Sequence, residues 1–222
     1  MNVLIFGATG MVGQGVLREC LLAADVERIL IIGRSASAMK HPKLREIVHS
    51  DLQYYSGMEA EMRGFDACFF CLGVSSTGMR QEDYEHITYG ITLAAAETLA
   101  RLNPQMTFIY VSGAGTDSSE HGRSMWARVK GKTENALLRL PFKAAYMFRP
   151  GFIESVHGAK SKTGLYRLIY ALSKPFMPLL RMVAGKYILT TEQVGRAMLH
   201  AVRKGAPRRI LEVQDIRLLA SS

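Results

Sequence analysis

The sequence predicts an α/β fold: a doubly wound parallel sheet forming a single domain, with a small C-terminal cap on its substrate side. Three observations predict it. Short apolar runs alternate with segments of helical period from the first residue onward, as in a parallel sheet covered by helices on both faces. No internal repeat or low-complexity linker interrupts that alternation. The 222 residues suffice for one large core, and 48% hydrophobic with 21% charged residues excludes a disordered or fibrous chain.

In chain order, strands fit Val3 to Phe6, Arg28 to Ile32, Glu46 to Val48, Asp66 to Cys71, Met106 to Val111 and Ala144 to Phe148, with a last one near Ile210 to Val213. Helices fit Met11 to Ala23, Asp83 to Leu102, Met125 to Leu140, Leu165 to Leu172 and Glu192 to Arg203. Residues 1–150 make the core. Residues 151–190, irregular and carrying Pro175 and Pro178, make the cap, and residues 191–222 return as a helix and a strand. In such sheets ligands bind beyond the carboxyl ends of the strands, where the strand order reverses, so the loops after the strands hold the chemistry.

The first of these loops is Gly7-Ala8-Thr9-Gly10-Met11-Val12-Gly13. It follows a strand and opens a helix, the context in which spaced glycines bind a dinucleotide: the first turns the chain, the second admits a pyrophosphate, the third lets helix lie on sheet. The pattern is that of a Rossmann fold, with Gly7, Thr9, Gly10, Met11, Val12 and Gly13 as binding residues. The second strand ends in Gly33-Arg34-Ser35 and not in a carboxylate. A carboxylate there would bond the ribose hydroxyls of NAD, whereas Arg34 pairs with a 2′-phosphate, so NADP(H) is expected over NAD.

Charge and cysteines narrow the setting. A formal charge of +9 favours anionic partners: a phosphorylated cofactor, nucleic acid or a membrane surface. No nucleic-acid motif accompanies it, so no nucleic-acid partner is expected. Between Ser155 and Thr191 the chain has no acidic residue but carries Lys160, Lys162, Arg167, Lys174, Arg181 and Lys186. That cap segment is either an ordinary solvated helix face, a weak peripheral membrane contact, or a surface for an acidic substrate. The apolar run Val3-Leu4-Ile5-Phe6 is too short to read as a secretory leader, no run reaches 18 apolar residues, and the three cysteines are expected to form no disulfide framework. A cytoplasmic location is the expectation. Cys68 and Cys71 match C-x-x-C, but three residues apart on a strand they point to opposite faces and read as buried thiols. The six histidines show no ligand spacing, so no metal is expected.

These residues, with Ser112, Lys130 and Arg149-Pro150-Gly151, resemble the atypical, epimerase-like short-chain dehydrogenase/reductases. Cys71-Leu72-Gly73 and Val129-Lys130-Gly131-Lys132-Thr133-Glu134 are similar to the branch of the Tat-interacting oxidoreductases. The resemblance implies that Cys71, Leu72 and Gly73 lie against the cofactor ribose and that Asp51 and Leu52 stand beside adenine, although Asp51 equally reads as a turn residue. It implies a catalytic set of a serine after the fifth strand and a Tyr-x-x-x-Lys helix, matched by Ser112 and Lys130. The lysine would bind the nicotinamide ribose and lower the tyrosine pKa.

Four residues before Lys130 stands Trp126, where that family has its phenol. An indole N–H donates a hydrogen bond but has no proton-transfer equilibrium near neutrality. Trp126 therefore lines the pocket without being its acid. His121, Asp117, Tyr84, Tyr89, Tyr166 and Tyr170 are alternative donors outside any motif position. Two functions follow: an NADP-dependent oxidoreductase on a small carbonyl, sugar-nucleotide or quinone-like substrate, or a binding module that keeps the cofactor as a redox signal and has lost the chemistry. Substrate, direction and oligomeric state are not encoded in any motif.

Overall fold

The computed structural model describes residues 1–37, 39–159 and 187–222. Strands among them are β1 (Asn2–Phe6), β2 (Arg28–Gly33), β3 (Leu44–Val48), β4 (Ala67–Phe70), β5 (Thr107–Val111), β6 (Ala144–Arg149), β7 (Phe152–Glu154), β8 (Ile188–Thr190) and β9 (Ile210–Glu212). Helices are α1 (Met11–Leu22), α2 (Gln81–Glu85), α3 (Ile91–Leu102), α4 (Met125–Leu137), α5 (Thr191–Lys204) and α6 (Val213–Ser221). Seven strands form one sheet in the order β3-β2-β1-β4-β5-β6-β9, with every neighbouring pair parallel.

Alternation along each strand divides the core. Val3, Ile5, Ile29, Ile31, Phe69 and Phe148 pack on one face with α1, α5 and α6. Leu4, Phe6, Leu30, Ile32, Phe70, Phe108 and Tyr110 pack on the other with α3. Runs apolar at every position are what a sheet covered on both faces requires. Cys68 belongs to the second layer and Cys71 packs against the first, so the two thiols do face apart. Burial pushes both thiols up, Cys71 to about 12, which leaves them inert as nucleophiles near neutrality.

The strand order reverses at β1. From β1 the chain builds outward to β2 and β3, then returns to place β4 on the other side of β1. Phe6 is in register with Ile32 on one side and Phe70 on the other, so the loops after β1, β2 and β4 emerge at one level. That is the crevice at which this architecture binds ligands.

Three elements differ from the sequence reading. The helix expected over Asp83 to Leu102 is broken into α2, a π-turn (His86–Gly90) and α3. Ile87, Thr88, Gly90, Ile91 and Thr92 are weak helix formers, and a Cβ on Gly90 would stand 3.1 Å from Gln53 Nε2 of the loop after β3. The parallel pair β7 and β8, with Phe152 opposite Ile188, brackets the cap segment. Helix α6 follows β9 directly, capped by Glu212 and Asp215. The expected helix Leu165 to Leu172, Tyr166, Tyr170 and the basic residues from Lys160 to Lys186 lie outside the described residues.

Candidate functional site

The glycines of the first loop do different jobs. Gly7 has φ +77, a left-handed conformation, and a Cβ there would lie 2.5 Å from Leu72 N. A Cβ on Gly13 would overlap the Gly7 carbonyl and stand 2.8 Å from the Ala8 Cα. Both positions are closed by backbone. Gly10 is not: it has ordinary extended angles (φ −80, ψ 163), and a Cβ meets only Gly7 O, at 3.3 Å. The fold does not demand glycine at position 10, so the space beside it is left for something other than protein.

That space opens on the N-terminus of α1. No side chain caps the helix at Gly10, and its first turn holds no acidic residue. The first amides of a 12-residue helix thus present partial positive charge to an anion. Gly10 N donates to Gly7 O at 2.9 Å, and Gln14 Nε2 donates to Thr9 O at 3.0 Å, fixing the loop around half-buried Met11 and Val12. Cys71 N donates to Phe6 O and brings Cys71 and Leu72 beside Gly7, with exposed Gly73 next in line. The residues fit a pyrophosphate at the switch point.

Beyond β2 and β3 an open cleft of about 400 Å³ is lined by Arg34, Ser50, Asp51, Leu52, Gln53, His86, Ile87 and Ile91. Arg34, Asp51 and Leu52 were legible in the sequence because they follow strands. Gln53, His86, Ile87 and Ile91 were not: the π-turn presents His86 and Ile87, and Gln53 Nε2 lies 3.4 Å from His86 Nδ1. Asp51 makes the turn that the sequence allows and also lines the cleft. Its Oδ1 accepts from Gln53 N at 3.0 Å, an Asx turn, while the residue lines the cleft.

At the other end, past β5, the structure brings Ser112 and Lys130 together. Ser112 is buried, and its Oγ donates to Glu134 Oε1 at 2.5 Å, with the Phe148 carbonyl 3.1 Å away as the alternative acceptor. The Lys130 ammonium donates to the Ser112 carbonyl. Burial pushes that ammonium down to about 8, with the Glu134 carboxylate pulling the other way. Trp126 lies one turn earlier on α4, its ring edge 3.6 Å from where a Gly115 Cβ would stand. The ring therefore walls the loop after β5.

The alternative donors occupy varied settings. Asp117 accepts from Ser119 Oγ and from Gly122 N, both at 2.6 Å, which holds its carboxyl below the usual carboxylate range. It organises its loop and is no acid near neutrality. His121 is exposed, Tyr84 is buried in the core, and Lys132 Nζ stands over the Tyr89 ring at 4.6 Å. Glu134 and Arg149 were in the motifs that carried the resemblance, but their union was missed. A glutamate one turn after a lysine reads as a surface pair.

Comparison with known proteins places this geometry. Residues 3–124 match the model of the NAD dependent epimerase/dehydratase family. A protein of Scheffersomyces stipitis named FMP52-2, mitochondrial, is 30% identical over 152 residues, which are 67% of this chain and 65% of that protein. The chain thus matches just under two thirds of that relative's length. Protein HTATIP2 of Rattus norvegicus is 25% identical over 154 residues, which are 68% of this chain and 62% of that protein. Among solved structures, the Bordetella bronchiseptica enzyme WbmF in complex with NAD+ superposes with a TM-score of 0.68 at 16% identity, over 99% of this chain and 76% of that one. An oxidoreductase of the short chain dehydrogenase/reductase family from Burkholderia thailandensis gives 0.68 at 16% identity, over 98% and 92%.

One expectation is corrected here. The FMP52 relatives are named mitochondrial, against a purely cytoplasmic location. Cysteine usage separates oxidising from reducing compartments and does not separate one reducing compartment from another. Among the described residues no helix is long and apolar enough to cross a membrane. The glycine loop at the switch point, the parallel sheet and the family match agree on one conclusion: this chain belongs to the NAD dependent epimerase/dehydratase family, with the Rossmann fold of the short-chain dehydrogenase/reductases.

Proposed function

We propose that this protein binds NADP(H) in preference to NAD(H) and is an oxidoreductase acting on a small carbonyl, sugar-nucleotide or quinone-like compound. The observation that carries the reading is the cleft beyond β2 and β3, where Arg34 stands with Ser50, Asp51 and Leu52. Arg34 is exposed, and it supplies a planar cation where a 2′-phosphate would lie. The Asp51 carboxylate in the same cleft opposes such a phosphate, but one of its oxygens is engaged by Gln53 N. Gly10 and the α1 N-terminus take the pyrophosphate, and Lys130 takes the nicotinamide ribose. When bound, the nicotinamide ring gives or accepts a hydride.

The experiment is calorimetry of NADPH and NADH on wild type and Arg34→Ala. A charge-assisted contact of about 1.5 to 3 kcal/mol corresponds to roughly a ten- to hundredfold preference for NADPH. Arg34→Ala should lose that preference and keep its affinity for NADH. Equal affinities for the two cofactors in wild type would refute the assignment.

The second reading is a redox-sensing module of low catalytic power. Trp126 favours it, and so does the Ser112 hydroxyl, which is turned to Glu134 and so is not free to polarise a substrate carbonyl in this state. Turnover of NADPH with a panel of aldehydes, diketones and quinones separates the two readings.

A further inference from the structure

Between α4 and the ends of β5 and β6 lies a carboxylate that cofactor binding does not use. Glu134 is 0% exposed. Three donors converge on it: Ser112 Oγ at 2.5 Å and Arg149 Nε at 3.1 Å on Oε1, and Arg149 Nη2 at 2.5 Å on Oε2. Arg149, itself 11% exposed, continues to Ser118 Oγ at 2.6 Å and Glu212 Oε1 at 3.2 Å. The loop after β5, helix α4, β6 and β9 meet in this one network.

A buried ion pair is a poor device for stability alone, because desolvation offsets the attraction and apolar residues of similar volume often serve as well. Its geometric consequence is more specific. Ser112 has one hydroxyl proton, and it donates its hydrogen bond to Glu134. The Ser112 carbonyl is taken by Lys130, one helical turn before Glu134. Helix α4 therefore grips both polar ends of the same serine.

We propose that Glu134 is a positioning residue for the reactive end of the site: clamped by Arg149, it turns the Ser112 hydroxyl into the protein and fixes, through Ser112, where the Lys130 ammonium stands. That this end receives nicotinamide rests on the function proposed above; the positioning itself rests on the network. The groups facing Lys130 are Glu134 on its own helix, itself paired with Arg149 of β6, and the Ser112 carbonyl after β5. Burial draws the ammonium down to about 8, and Glu134 opposes the fall. Without the carboxylate, burial acts unopposed, and Lys130 gives up its proton at lower pH.

The test follows the Lys130 Nζ resonance through a pH titration of the full chain, in lysine-labelled protein with no cofactor, assigned by its loss in Lys130→Arg. In Glu134→Gln the proton affinity of Lys130 should fall tenfold or more, about tenfold being the low end for losing an opposite charge at close range. Glu134→Asp should recover most of it. Should Glu134→Gln fail to fold with Arg149 stranded, the paired variant Glu134→Gln/Arg149→Met removes that cation, and there the fall should persist. A Lys130 titration unchanged in either folded variant overturns the proposal, since the carboxylate would then have no hold on the ammonium. NADPH affinity at pH 8 is measured in parallel. If Lys130 shifts and NADPH affinity stays, Glu134 keeps its positioning role and the placement of nicotinamide at this end is what fails.

Discussion

Gly10→Val is expected to leave the protein folded and to abolish its binding of NADPH and NADH, whereas Gly13→Val is expected to prevent folding. The contrast comes from three glycines in one loop. At position 10 the backbone is extended, any residue adopts its angles, and a Cβ meets a single carbonyl oxygen at 3.3 Å. The valine methyl groups would extend into the space before the α1 amides, where a pyrophosphate accepts its hydrogen bonds. Two or more charge-assisted bonds, each about 1.5 to 3 kcal/mol, would be lost, and affinity should fall by roughly a hundredfold at least. At position 13 a Cβ would overlap the Gly7 carbonyl and come within 2.7 Å of the Gly7 carbonyl carbon. Neither neighbour is the movable end of a side chain, so α1 must lift from the sheet and disturb the packing of Val16 and Leu17 in the first core layer. Circular dichroism and thermal melting read the fold, and calorimetry reads the binding. A folded Gly10→Val protein that still binds either cofactor at micromolar concentration would show that the loop is not the phosphate site.

This division of labour was only half legible in the sequence. The spacing of Gly7, Gly10 and Gly13 after an apolar run announces the loop, but which glycines serve the fold depends on Leu72, brought alongside by β4. The strands were legible for a simple reason. Residues such as Leu4-Ile5-Phe6 must be apolar on both faces of a doubly covered sheet, and such runs have few alternatives. The break at His86–Gly90 was not, because a π-turn is decided by what docks against it, here Gln53 on Gly90. The cleft beyond β2 and β3 was therefore legible from one wall, Arg34 and Asp51-Leu52, and its other wall was missed. Glu134 was hidden in the same way: its burial is set by Arg149, fifteen positions later in sequence and delivered by β6. Helix α6 carries a cap built from Glu212 and Asp215, with no serine or threonine to mark its start.

Trp126→Tyr is expected to create or strongly raise carbonyl reductase activity. Trp126 occupies the helical position one turn before Lys130, where a phenol would meet both the lysine and the loop after β5. Wild type lacks a proton donor there, and general acid catalysis is typically worth about a hundred- to ten-thousandfold, so its reduction of simple ketones should be weak. The Lys130 ammonium, brought down to about 8 by burial, is charged below that pH and would stabilise a neighbouring phenolate. Reduction also needs the phenol protonated, and both requirements run in one direction. The gained activity should be highest below pH 8 and decline as the pH rises through it. The smaller ring leaves a void beside Gly115, which tempers the gain without removing the acid. NADPH oxidation with aldehydes, diketones and quinones, compared across wild type, Trp126→Tyr and Trp126→Phe, measures the effect. Quinones are the control, since their hydride acceptance depends less on a positioned acid, and wild type and Trp126→Phe should reduce them alike. If wild type reduces simple ketones briskly and Trp126→Phe loses that activity, the indole supports catalysis after all, and the equivalence of Trp126 with the family phenol is wrong.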